Sequence, residues 1–186
     1  MAQINIGTDA NTALLTSPAR LTNLTGAYNF SADDMPGVAA ANNFVSLFNP
    51  VGSGRNLYYL GAYISTYVAG GGSTTRESMQ GHAITAASAG TLQAASAIFK
   101  LDSTFPNSVA EVRTGNPTVT IGPNLFNSPP PINTTTTQYV HAVGLGFGVV
   151  GGPVIFRPGE GIVFTTDAGN TNQTWNVSIG WAEATL

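Results

Sequence analysis

The segment RNLYYLGAYISTYV, residues 55–68, decides the fold class, because aromatic and β-branched side chains dominate it. With a period of two, one face carries Leu57, Tyr59, Gly61, Tyr63, Ser65 and Tyr67, and the other carries Tyr58, Leu60, Ala62, Ile64, Thr66 and Val68. Both faces are apolar, which is typical of a central strand covered on both sides. A glycine inside a strand often marks a bulge or a close approach, so we expect one of these at Gly61.

Similar strand patterns recur along the rest of the chain. They are ANNFVSLFNP (41–50), SAIFKLD (96–102), SVAEVRTG continuing into PTVTIG (108–122), PVIFRP with GIVFTTD (153–167) and QTWNVSIGWAEA (173–184). These short strands with turn residues between them predict an all-β protein. The specific expectation is an antiparallel β sandwich, jelly-roll-like, that forms one domain over residues 41–186.

Three segments lack a clear strand pattern. Residues 1–40 have no sustained period and are expected to form an extended N-terminal arm. The alanine-rich stretch 82–99 is a weak helical alternative, since Thr, Ser and Gly interrupt it. The stretch FNSPPPINTTTT, 126–137, favours an exposed loop or a crossover at a sheet edge.

The stretch FRPGEGIVF, residues 156–164, reads as strand, turn and strand. Pro158 restricts φ, and Gly159 and Gly161 allow positive φ, so the flanking strands can fold against each other or pass between two sheets. On the strand that follows, Trp175, Val177, Ile179 and Trp181 share one face, while Asn176, Ser178 and Gly180 share the other. The first face is expected in the core and the second in water or in an interface.

The composition combines an ordinary hydrophobic fraction of 42% with only 8% charged residues and a net charge of -3. Lys100 and five scattered arginines do not form a basic patch, so direct binding of nucleic acid is not expected. The chain has no cysteine, which excludes disulfides and thiolate metal sites. It shows neither a signal peptide nor a run of apolar residues long enough to span a membrane, so we expect a protein that is soluble where it is made.

Few side chains suggest chemistry. His82 and His141 are the only imidazoles and are expected to be structural or exposed. Asp33 and Asp34 fit a turn better than a calcium site, since the EF-hand spacing is missing. Glu160 could form a carboxylate pair with Glu183 or Asp167, as glycoside cleavage requires, but a solvated turn residue fits better.

The tyrosines of residues 55–68 offer a surface for sugar stacking or for protein contacts. Alternation would place Tyr59, Tyr63 and Tyr67 on one face, where core packing or a subunit interface is favoured over a sugar site. No nucleotide-binding, hydrolase or metalloprotease motif is present. We therefore expect no enzyme activity, and no catalytic, cofactor-binding or metal-binding residues.

Three segments together resemble small structural proteins of tailed bacteriophages: residues 41–65, 112–131 and 156–183. The shared features are Phe-Asn-Pro followed by Gly-Ser-Gly, Arg-Thr-Gly before a β run, and the R-P-G-E-G turn that leads to a W-x-V-x-I-x-W-x-E strand. This resemblance implies a virion component. The possible types are a capsid decoration (cement) protein, a head or tail fibre module, and a minor capsid protein.

The low charge favours a position on the outer surface of the capsid, away from packaged DNA. The expectation is therefore a decoration protein, made in the host cytoplasm, that forms homotrimers and bridges subunits of the major capsid protein. The alternative is a fibre or receptor-binding module that binds carbohydrate, in which the loops around GGGST (70–74) and SPPPINTTTT (128–137) form one tip of the domain.

Overall fold

The computed structural model describes residues 24–36, 42–68, 79–127, 139–141, 154–166 and 173–186. These residues form two antiparallel sheets and one short 3₁₀ turn, Ala95–Ala97, and contain no α-helix. Sheet A consists of β1 (Leu24–Pro36), β3 (Arg55–Val68), β6 (Ile98–Lys100), β9 (Tyr139–His141), β10 (Val154–Phe156) and β12 (Gln173–Thr185). Sheet B consists of β2 (Asn42–Phe48), β4 (Met79–Ser88), β5 (Thr91–Leu92), β7 (Glu111–Thr114), β8 (Thr118–Asn127) and β11 (Gly161–Thr166).

The strands are paired in a nested order. β1 pairs with β12, β2 with β11, β3 with β10, and β4 with β8, so strands from the first half of the chain meet strands from the second half in reverse order. Successive strands β1 to β4 alternate between the two sheets. The segment between β4 and β8 adds β6 beside β1 in sheet A and β7 beside β2 in sheet B. The antiparallel two-sheet prediction is confirmed.

The core lies between the sheets and is rich in aromatic rings. Trp175, Val177, Ile179 and Trp181 of β12 are buried there, as the alternation in sequence predicted. Trp181 stacks on Tyr28 of β1 with ring centroids 5.8 Å apart. Trp175 meets Phe44 of β2 edge-on at 5.9 Å, which joins the two sheets. Such pairs add about 1 kcal/mol each beyond their buried area.

Part of the expected N-terminal arm is a strand of the sandwich. Leu24–Pro36 form β1, which lies between β12 and β6, and its alternating residues Tyr28 and Phe30 are buried. The alternation was missed because a bulge between Ala32 and Met35 and several polar neighbours obscure it. The rest of the arm, residues 1–23 and 37–40, lies outside the described residues.

The helical alternative for residues 82–99 is wrong. This stretch contains most of β4, a turn with positive φ at Ala89 and Gly90, then β5, the 3₁₀ turn and the start of β6. Pairing of β4 with both β11 and β8 outweighs the helical preference of alanine, because it satisfies backbone groups along both edges of the strand. The loop predicted at 126–137 overlaps the end of β8, and its remaining residues lie outside the described ranges.

The turn 157–160 takes the chain from β10 in sheet A to β11 in sheet B. Gly159 has the positive φ expected of it, 89°. Gly161 is required for a different reason: a Cβ there would collide with the carbonyl oxygen of Leu47 and lie 2.8 Å from the Cα of Phe48 on β2. The backbone of Asn49 fixes the turn. Its backbone N–H donates to the Glu160 carbonyl (2.9 Å), and its backbone carbonyl accepts from the Gly159 N–H (2.7 Å).

Gly161→Ala should lower the free energy of unfolding by about 2 to 3 kcal/mol, because the added methyl group meets backbone that cannot rotate away. Ile162→Val, one residue along the same strand and fully buried, is the control and should cost only about 1 kcal/mol. Urea denaturation of the three proteins measures both changes. Equal losses would show that the close approach of β11 and β2 does not constrain residue 161.

Candidate interaction surface

One face of sheet A is turned away from the core and is called the sheet A outer face here. Its members alternate with buried core residues on five neighbouring strands. They are Ala27, Asn29, Ser31, Tyr58, Leu60, Gly61, Tyr63, Phe99, Ile155, Asn176, Ser178 and Gly180. Tyr63, Phe99 and Ile155 are exposed, so this face presents apolar side chains to its surroundings.

A bulge crosses the middle of this face. The register between β3 and β12 shifts between Gly180 and Trp181, and Gly61, which is opposite Gly180, has φ 143°. Two glycines side by side leave a shallow groove of about 270 Å³, whose lining includes Leu60, Tyr63 and Ser178. The bulge expected at Gly61 is therefore confirmed.

The polar side chains beside the groove bond to one another. The amide of Asn29 donates to the hydroxyl of Ser178 at 3.0 Å, and its carbonyl oxygen accepts from the hydroxyl of Ser31 at 3.0 Å. The hydroxyl groups of Ser31 and Ser178 are 3.1 Å apart. Because these bonds exist within the face, a partner surface can cover the three side chains without breaking them.

The strands of this face bring no charged side chain to its centre among the described residues. Asp33 and Asp34 lie at its rim, in the bulged end of β1, where the backbone N–H of Asp34 donates to Asn176 at 2.8 Å. Arg55 and Glu183 belong to β3 and β12 but form an ion pair with each other, and Glu183 is fully buried. The centre of the face therefore carries polar and apolar side chains but no charged ones.

The ion pair of Arg55 and Glu183 fixes a connection between the two sheets at one end of the sandwich. A carboxylate oxygen of Glu183 is 2.6 Å from the guanidinium of Arg55, and the other accepts from the hydroxyl of Ser108 (2.6 Å) and the backbone N–H of Val109 (3.0 Å). Ser108 and Val109 belong to the segment that leads from β6 in sheet A to β7 in sheet B. The buried carboxylate thus fixes a connection between the sheets.

Tyr28 extends this network. Its hydroxyl donates to the carbonyl of Pro106 at 3.0 Å, in the same connecting segment. Burial raises the pKa of Tyr28, and the negative charge of Glu183 raises it further, against the opposing influence of Arg55. The hydroxyl therefore stays protonated and remains a donor at neutral pH.

The two histidines, expected to be structural or exposed, lie in different sheets. His82 is on β4 of sheet B, where Nε2 is 3.0 Å from Oε1 of Gln80 and Nδ1 is buried without a hydrogen-bond partner. His141 is on β9 of sheet A, opposite Ile64. In the ranges that the structure describes, no three His, Asp or Glu side chains gather as metal ligands would.

The carboxylates considered for catalysis have separate partners. Glu160 accepts the backbone N–H of Arg157 at 2.9 Å within its turn, while Glu183 is paired with Arg55. Asp167 lies outside the described residues. Asp33 and Asp34 sit at a bulge inside a strand, and Asp34 has φ 53°, so the turn expected there is a strand irregularity.

The tyrosine prediction was wrong in one respect. The bulge at Gly61 reverses the alternation along β3, so Tyr59 points into the core and is 1% exposed, while Tyr63 is 45% exposed on the outer face. Burial raises the pKa of Tyr59 well above its usual value. Tyr67 is opposite Thr174, and its side chain is outside the described part. Of the three, only Tyr63 is a described surface candidate.

Sequence reasoning missed the most connected polar residues. Arg55 and Glu183 are 128 positions apart, and no local signal pairs them. Asn49 was not singled out in the sequence, although its buried side-chain amide donates to the carbonyls of Arg55 (2.8 Å) and Phe156 (3.0 Å). The sequence contained one sign of this pair: Glu183 lies on the same side of its strand as the buried Trp181, and a buried carboxylate needs a partner.

Comparison with known proteins adds no identification: no family model, no curated protein and no solved structure matches this chain. The described ranges contain no long apolar helix of the kind that crosses a bilayer. The proposals below therefore depend on the sequence and on the geometry of the two sheets.

Glu183→Gln should destabilise the fold by about 3 kcal/mol, because the guanidinium of Arg55 loses its countercharge at a buried site. The matched control is Glu111→Gln, which removes the more exposed partner of Arg113 and should cost no more than about 1 kcal/mol. Denaturant titration at pH 7 compares the two. A loss for Glu183→Gln as small as that of the control would contradict a structural role for the buried pair.

Proposed function

We propose that this chain is a structural protein of a tailed-bacteriophage virion, a capsid decoration (cement) protein that self-associates on the outer head surface and bridges subunits of the major capsid protein. The sheet A outer face carries this proposal, since it is uncharged at its centre and its polar groups already bond to one another. Such a surface suits adhesion to protein. The resemblance of residues 41–65, 112–131 and 156–183 to phage structural proteins points to the virion.

The finer fold we propose is a jelly roll. The supporting observation is the nested pairing, in which β1, β12, β3 and β10 are neighbours in sheet A and β2, β11, β4 and β8 are neighbours in sheet B. This order results when a long antiparallel ribbon is wound into two sheets, with β5, β6 and β7 inserted in one connection. Jelly rolls are frequent in viral capsid proteins.

A homotrimer is the assembly that we propose, because in a closed ring an uncharged patch of each copy meets a different patch of the next copy. Bridging then depends on avidity: several weak contacts, each with one capsid subunit, act together once the copies are joined. Since the contacting surfaces carry few charges, binding should depend little on salt. No catalytic step is part of this function.

A carbohydrate-binding module is the second candidate, because the groove combines an exposed aromatic ring with amide and hydroxyl groups. Tyr63 lines it together with Asn29 and Ser178. The satisfied bonds among Asn29, Ser31 and Ser178 favour the first candidate, since a sugar site usually directs its polar groups toward the ligand. A glycan array distinguishes the two.

The test uses DNA-filled heads of the phage that encodes this chain, prepared without the protein. Added purified protein should bind them to a fixed saturating copy number and should raise the temperature at which they release DNA. Binding should persist when salt is raised from about 0.1 M to about 1 M, because ionic contacts are few. Heads that bind no protein would refute the decoration role.

A further inference from the structure

The exposed apolar side chains are unevenly distributed over the described surface. Tyr63, Phe99 and Ile155 lie on the sheet A outer face, and Leu101 follows directly after β6. Sheet B also exposes Leu92 and Ile121, but its strand β7, between β5 and β2, carries the ion pair of Glu111 and Arg113. Among the described residues, the sheet A outer face thus combines exposed apolar side chains with a centre that has no charged group, which is the pattern of an interface core.

This face also has the size of an interface. Three long strands, β1, β3 and β12, spaced about 4.8 Å apart give a width of about 14 Å over a length of about 40 Å, and the three-residue strands β6 and β10 add about 50 Å² each. The resulting area of about 650 Å² is at the lower end of what one partner contributes to a stable protein complex. A ligand limited to the groove would leave most of it uncovered.

The same face carries an exposed aromatic ring and a shallow groove next to each other. Tyr63 is opposite Ser178, two residues from Gly180 on β12, so its ring stands about 7 Å along the strand from the glycine pair. A rotation axis near this point would bring Tyr63 of one copy to the groove of the next. The patch around Tyr63 and the groove of the next copy are both uncharged and can meet in this way without repulsion between like charges.

We infer that the sheet A outer face is the surface through which copies of this chain bind one another, with Tyr63 of one copy seated in the groove formed by Gly61 and Gly180 of its neighbour. The inference deepens the proposed function and rests on it for the expectation of self-association. Asp33 and Asp34 stay at the rim, where water can solvate their charges.

Gly180→Arg is the decisive variant. A Cβ at residue 180 meets no atom closer than the Cβ of Leu60 at 3.9 Å, so the protomer can accept the side chain, which would project into the groove. Tyr63→Arg removes the protruding ring and adds the same charge. The matched control is Ile121→Arg on β8 of sheet B, whose exposure of 51% resembles the 45% of Tyr63.

Sedimentation equilibrium of the full-length chain measures assembly, and circular dichroism with thermal melting verifies folding. The wild type and Ile121→Arg should assemble to a multiple of the 19.1 kDa protomer, three if the ring is a trimer. Gly180→Arg and Tyr63→Arg should dissociate with a dissociation constant at least about 100-fold higher, because each copy would bury an unpaired charge.

Three results would overturn the inference. They are a wild-type protein that is monomeric at every concentration, folded variants that assemble as well as the control, and a monomer whose groove binds an oligosaccharide in a Tyr63-dependent manner. Binding of the wild type to heads is a separate readout. If the protein forms oligomers that bind no heads, only the decoration role is refuted. If the protein binds heads but its groove variants still assemble, only the assignment of the sheet A outer face as the self-association surface is refuted.

Discussion

The register shift between β3 and β12 at Gly61 and Gly180 is the constraint on which the rest of the structure depends. β12 pairs along most of its length with β3 on one side and β1 on the other, so it is the centre of sheet A. The shift lets Tyr59 and Trp181 face the core together while Tyr63 faces outward. The same two glycines, lacking side chains, create the groove on the outer face.

The two faces of sheet A carry different kinds of side chain, and β12 shows both kinds. Its inward residues are large and buried, and Trp181 contacts both Tyr28 and the carboxylate of Glu183. Its outward residues are small and polar, and Ser178 exchanges hydrogen bonds with neighbours on β1. Burial of the first set stabilises the sandwich, whereas the second set leaves an uncharged surface of the size of a protein contact.

Buried polar contacts fix two of the connections between the sheets. Glu183 holds the segment between β6 and β7, and Asn49 holds the turn between β10 and β11. Both segments pass from sheet A to sheet B, so each contact fixes how the sheets are joined. A rigid body of this kind suits the proposed role of bridging neighbouring capsid subunits.

The sequence by itself determined the all-β class, most strands and the inward face of β12, because alternation and turn residues are local properties. The uncharged surface also followed from composition alone. Tertiary structure decided what depends on distant pairing: β1 as a core strand, the separate faces of Tyr59 and Tyr63, and the partnership of Arg55 with Glu183. A one-residue shift in register exchanges the two faces of a strand, and only the neighbouring strands specify where that shift occurs.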